Sequence, residues 1–180
     1  MREILVGVDG SPAAHAALEF AVEEARLRDA ELIAVYVYKA VPPDDGSSSD
    51  RYERDSLDLP GHGYEPAARP DEVSRRATML KREEEYRRSR AWIEAAEKQA
   101  RSLVEDMIAQ VGEGQGDVEV TPRLIADAHP AEALVDAAAD AELLVIGSRG
   151  RGGFKGLLLG SVSQQCVQHA RCPVIVVRAE

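Results

Sequence analysis

The chain has 180 residues, within the range of one domain with a single core, and its 44% hydrophobic and 4% aromatic content suits an α/β protein rich in Ala, Val and Leu. A formal net charge of −10 argues against general nucleic-acid binding, which needs a basic face, and no apolar run approaches the length of a membrane span. The two cysteines, Cys166 and Cys172, show no CxxC or metal-ligand spacing and are expected as buried thiols; Met1-Arg2-Glu3-Ile4 starts straight into a strand with no signal-like segment, so cytoplasmic residence is expected.

In chain order, strands alternate with helices. Ile4 to Val8 is an apolar strand, and Asp9-Gly10-Ser11-Pro12 is a turn in which Ser11 caps a helix and Pro12 takes its first position. That helix runs to about Arg28, with Ala13, Ala17, Phe20, Ala21 and Ala25 at helical spacing, a small-residue face suited to close packing on a sheet. Leu32 to Tyr38 forms a second strand. Residues 42 to 70 carry five prolines and the run Gly46-Ser47-Ser48-Ser49, composition that lacks core material and predicts a mobile loop. From about Asp71 to Val111 the pattern is helical, but its apolar stripe starts only at Trp92 and continues through Ala96, Ala100, Leu103, Val104, Met107, Ile108 and Val111. Upstream, Glu83 with Arg87 and Glu84 with Arg88 give favourable i,i+4 pairs on a helix that is polar all round, an arm, a lid, a partner surface or a plain solvated extension.

Val118 to Ile125 is a third strand, Pro130 to Ala139 a helix, Leu143 to Ile146 a fourth strand, Ser161 to Ala170 a helix and Val174 to Val177 a fifth strand. This order implies a parallel sheet with right-handed crossovers and helices on both faces. Between the fourth strand and the last helix lie Gly147-Ser148-Arg149-Gly150 and then Gly160-Ser161, a glycine-spaced loop leading into a helix N-terminus, where backbone donors and the helix dipole attract phosphate. Ser161-Val162-Ser163-Gln164 reads as a capping box. From Leu143 to Ala179 there are five basic residues and no acid; of these Arg149, Arg151 and Lys155 fall in the loop, placed to offset phosphate charge or simply solvated.

Taken together, ILVGVDGS at the amino terminus, LLVIGSRG late in the chain and RGGFKGLLLGSVSQQCVQHARCPVIVV to the end resemble the universal stress protein family, in its ATP-binding branch. Gly147, Gly150, Gly160 and Ser161 match that branch's G-2x-G-9x-G-[S/T] pattern without a gap. The resemblance covers residues 1 to about 39 and about 118 to 180; residues 40 to about 90 depart from the family in length and composition, so the chain is expected as one domain, 1–180, with a polar insertion at about 42–90.

The resemblance implies a Rossmann-like, doubly wound, five-stranded parallel sheet in the order 3-2-1-4-5, which sets the ends of strands 1 and 4 side by side at a ligand-binding switch point. It implies that Asp9 meets the ribose hydroxyls, that the backbone of Val37 meets the adenine edge, and that Ile146 walls the other side. Gly147 and Gly150 would border ribose and phosphates, while Gly160, Ser161, Val162 and Ser163 would supply donors to the phosphate chain; Arg149 occupies a variable position of the motif. The implied ligand is ATP, with Mg²⁺ or Mn²⁺ held through its phosphates, and the implied role is a nucleotide-dependent stress-response regulator, homodimeric through residues 174–177. Two other readings stay open: a slow ATPase or phosphotransferase using the same pocket, and an adaptor whose 42–90 insertion binds a protein partner. No catalytic base stands out. His15, His62, His129 and His169 suit structural or solvated roles, with His129 expected far from the switch point, and no P-loop is present.

Overall fold

The computed structural model describes residues 2–40, 72–112, 118–152 and 158–179. Two compact units divide the chain: one holds Met1–Ala40 with Ala95–Glu180, the other Val41–Glu94. The predicted loop at 42–70, His62 and Lys155 lie outside the described residues.

The first unit carries the sheet. Its strands are β1 (Glu3–Gly7), β2 (Glu31–Tyr38), β3 (Val120–Ala126), β4 (Leu143–Gly147) and β5 (Val174–Val177). All four pairings are parallel, and the order is β3-β2-β1-β4-β5. β1 is central, with Leu5 paired to Ile33 on one side and Leu144 on the other. Its apolar run follows from that position, since a central parallel strand is covered on both faces. β3 lies at one edge, the place in a sheet that tolerates Pro122, which has no N–H to donate.

Period-two alternation divides the core. Ile4, Val6, Val8, Leu32, Ala34, Leu143 and Val145 point to one face, where they pack with Ala17, Leu18, Ala21 and Ala25 of α1 (Pro12–Arg28) and with Val104, Met107 and Val111 of α2 (Glu72–Gly112). Leu5, Ile33, Val35, Leu144 and Ile146 point to the other, against Leu134 of α3 (Pro130–Ala137) and Cys166 of α4 (Ser161–His169). The alanine face of α1 lets that helix sit close to the sheet, as its spacing predicts. Ser11 caps α1 by accepting from the Ala14 N–H at 3.2 Å, and Asp29 ends it in the left-handed region at φ 52°. Burial raises the pKa of the Cys166 thiol to about 11, with the neighbouring Cys172 adding to the shift.

In the second unit the described part of α2 is exposed from Met79 through Arg88, and Glu84 pairs with Arg88 at 3.1 Å. Among the described residues no helix is long and apolar enough to cross a membrane.

Candidate functional site

At the carboxyl end of the sheet the chain enters two turns side by side, one leaving β1 and one leaving β4. Gly7 pairs with Ile146, so the residues that follow each strand diverge into α1 and toward α4 and leave a crevice between them. The crevice is a cavity of about 900 Å³, lined by residues of the first unit alone. All ten site residues expected from the sequence line it: Asp9, Val37, Ile146, Gly147, Arg149, Gly150, Gly160, Ser161, Val162 and Ser163.

The two ends of the cavity differ in chemistry. One end is apolar, walled by Val35 and Val37 of β2, Ile146 of β4, Leu134 of α3 and Pro130. The other end is built from the start of α4. Its N-cap is Gly160, with no side-chain cap; Gln164 opens the helical ladder by donating to the Gly160 carbonyl at 2.9 Å, so the N–H groups of Ser161, Val162 and Ser163 precede it without intrahelical partners. This corrects the capping box. Ser161 is the first helical residue, and the Ser163 hydroxyl turns back to donate to the Gly147 carbonyl at 2.7 Å, lying 3.2 Å from that of Ser148. A serine spent on bracing β4 leaves the helix end open to an incoming anion.

Two glycines are required by close approach. A Cβ on Gly147 would lie 2.8 Å from the carbonyl carbon of Ala13 and 2.9 Å from the Ala14 nitrogen, both backbone atoms of α1. On Gly150 it would run into the Asp9 carboxylate. That carboxylate joins the two turns: Asp9 Oδ1 accepts from the Ser11 N–H at 2.9 Å, and Oδ2 accepts from the Arg151 N–H at 3.2 Å. The Ser11 hydroxyl adds a third link by donating to the Arg149 carbonyl at 3.3 Å.

Several lining residues escaped the sequence reading. The sequence marks Ser11 only as a helix cap, and Lys39, just past the end of β2, carries no motif. The sequence places Pro130 and Leu134 on a helix and does not say which face they take. Pro130 lines the cavity, so His129 stands next to the switch-point crevice instead of far from it; its N–H donates to Asp127 Oδ1 at 2.7 Å. The period of α3 gives the clue missed for Leu134, which is buried one turn beyond Pro130 and Ala131. Among the described residues no group of three or more His, Cys, Asp or Glu side chains is placed to hold a metal ion.

Comparison with known proteins gives a consistent result. The family model described as the universal stress protein family matches residues 1–178. Universal stress protein Rv2005c of Mycobacterium tuberculosis is 33% identical over 175 residues, which is 97% of this chain and 45% of that protein. The chain thus spans about half the length of the curated relatives it matches. UspA from Lactobacillus plantarum superposes with a TM-score of 0.60 at 22% identity, covering 98% of this chain and 97% of that one. The universal stress protein from Archaeoglobus fulgidus in complex with dAMP gives 0.53 at 24% identity, covering 98% of each chain.

Proposed function

The chain belongs to the universal stress protein family, and from that premise we propose that it is an ATP-binding regulator whose ligand occupies the cavity between β1 and β4. The observation that carries this reading is the division of one cavity into an apolar slot and an open helix N-terminus. Adenine fits between Val37 and Ile146, its edge meeting the backbone of β2, and the ribose lies beside Asp9. The phosphates meet the N–H groups of Ser161, Val162 and Ser163, with Arg149 and Arg151 beside them. The related Archaeoglobus protein carries an adenine nucleotide, dAMP, in agreement with this choice of base. Mg²⁺ or Mn²⁺ would reach the site on the phosphates, where it supplies charge neutralisation. Calorimetric titration of ATP, ADP, AMP and GTP, with product analysis of the same samples, tests the proposal. Adenine-selective binding without turnover supports it; turnover at ordinary enzyme rates, about 1 to 10³ per second, would make the protein an ATPase; absence of adenine-nucleotide binding would overturn it.

The regulator is further proposed to act as a homodimer through β5. Leu144 donates to the Pro173 carbonyl at 3.0 Å and Ser148 to that of Val177 at 2.6 Å, so the odd-numbered residues of β5 face β4. Val174 and Val176 therefore direct their backbone groups to the open edge. Val176→Pro removes one outward donor and leaves the β4 ladder in place; sedimentation should show a dimer for the parent chain and a monomer for the variant.

A further inference from the structure

Away from the crevice, the described part of the second unit leaves apolar side chains in solvent on a helix whose charges are sorted into blocks. Met79 and Tyr86 of α2 are 69% and 67% exposed, and Ile93, half-buried, follows at the same interval of seven. Seven residues are close to two helical turns, so the three lie in one row. The same interval leads on to Ala100 and Met107, which are buried, so this is a row that α2 covers elsewhere along its length. Around Tyr86 the charge changes sign: Glu83, Glu84 and Glu85 precede it, and Arg87, Arg88 and Arg90 follow. Pairing within the helix uses part of this charge, Glu84 with Arg88 and Arg90 with Glu94, each at 3.1 Å. It leaves Glu83, Glu85 and Arg87 without an ion pair among the described residues.

We propose that this stretch of α2, residues 79–93, is a surface for a second copy of the chain, whose own α2 packs against it antiparallel about a two-fold axis at Tyr86. The order of the charges selects that occupant. Turning one helix end for end about Tyr86 sets the three glutamates of each copy level with the arginines of the other, and the symmetry makes the match twice. It also brings Met79 of each copy level with Ile93 of the other. The flanks of the row agree with this arrangement. Glu83 and Arg90 border the row on one side, Arg82 and Ser89 on the other; antiparallel packing keeps like flanks together, so Glu83 meets Arg90 while Arg82 faces Ser89 instead of an arginine. A parallel pair in register would set glutamates beside glutamates, and a partner of one charge sign would attract one block and repel the other. Three apolar residues over four turns bury little area, so the contact is weak and salt-dependent, formed at protein concentrations well above those at which β5 pairs. A chain with two self-complementary contacts, at β5 and at α2, joins dimers to one another.

The experiment uses the full chain carrying Val176→Pro, which opens the β5 pairing and leaves the α2 contact to be read. Sedimentation is followed up to about 1 mM protein, the range of weak association. It is run at ionic strengths of about 0.01 M and about 1 M, where charges are screened beyond about 30 Å and about 3 Å. The expected result is concentration-dependent association at low ionic strength that is lost at high. Two triple variants are then made, Glu83→Lys with Glu84→Lys and Glu85→Lys, and Arg87→Glu with Arg88→Glu and Arg90→Glu, each checked for helix content by circular dichroism. Each should stay monomeric alone, and the two should associate when mixed in equal amounts, which excludes misfolding as the cause of either loss. Orientation is read from Met79→Cys and Ile93→Cys chains oxidised with glutathione disulfide: the mixture should cross-link in preference to either chain alone. A monomer at every concentration overturns the proposal, as does association that neither triple variant changes, since it would then lie on another surface. Self-linked Met79→Cys and Ile93→Cys products would overturn the antiparallel arrangement.

Discussion

At the scale of single residues, the site depends on how closely backbone can approach backbone. Gly147 is where β4 ends against α1, and a methyl group there has no flexible neighbour to displace, since its contacts are the Ala13 carbonyl and the Ala14 nitrogen. Gly147→Ala is expected to destabilise the fold by about 1 to 3 kcal/mol through overpacking, read as a lowered urea midpoint with an unchanged slope. Cys166 offers a second residue-scale prediction. Its thiol is raised from 9.0 to about 11 because the buried site disfavours the thiolate, and burial also raises Cys172. A group held neutral in the folded state stabilises below its unfolded pKa and loses that contribution as pH climbs through the folded one. Stability should therefore fall between about pH 9 and pH 11, and urea titrations of Cys166→Ala over that window should show a shallower decline. The glycines are legible from the sequence because their spacing matches a motif, and Asp9 through the family resemblance of the amino-terminal strand and turn. The bond from Ser11 to Arg149 is not, because it joins residues 138 apart and neither type announces the other.

At the scale of elements, hydrophobic period was the dependable guide. Each strand was placed to within about two residues by its apolar run, and α1 by its cap and its alanines. α2 shows where such a reading becomes uneven. Its apolar stripe was visible from Trp92 onward, and Ala100, Val104, Met107 and Val111 are indeed buried; the upstream turns lack the stripe, yet the helix is continuous from Glu72. Helix formers such as Glu, Arg and Lys, together with i,i+4 pairs like Glu84 with Arg88, sustain those turns without a core face. The two regions should respond differently to the same substitution. Met107, at 2% exposure, is expected to cost about 2 to 5 kcal/mol on conversion to alanine, whereas Met79, at 69%, should change stability by less than about 0.5 kcal/mol in thermal unfolding. The start of α4 was misread for a related reason. Ser161 and Gln164 have the types of a capping box, but the helix begins one residue earlier than that box requires, with Gly160 as its N-cap, a shift that composition does not register.

At the scale of the whole molecule, a chain of net charge −10 is proposed to bind a polyanion, and the local arrangement has to outweigh the overall field. Arg149, Arg151 and the start of α4 supply that local excess. If ATP binds the folded chain alone, it should raise the unfolding free energy by about 2.7 kcal/mol at a hundredfold excess over Kd, measured as a concentration-dependent rise in Tm, while adenosine without phosphates should give a smaller rise. The sheet order was expected from family resemblance, and it has a consequence for how the chain is made. β1 is the centre of the sheet, yet one of its two neighbours, β4, is encoded about 140 residues downstream. At about 5 to 20 residues per second, a ribosome would leave one edge of that strand unpartnered for many seconds after β2 has docked on the other. The nascent chain therefore spends most of its synthesis with its central strand half covered, a window in which chaperones and proteases compete with the arrival of Leu143.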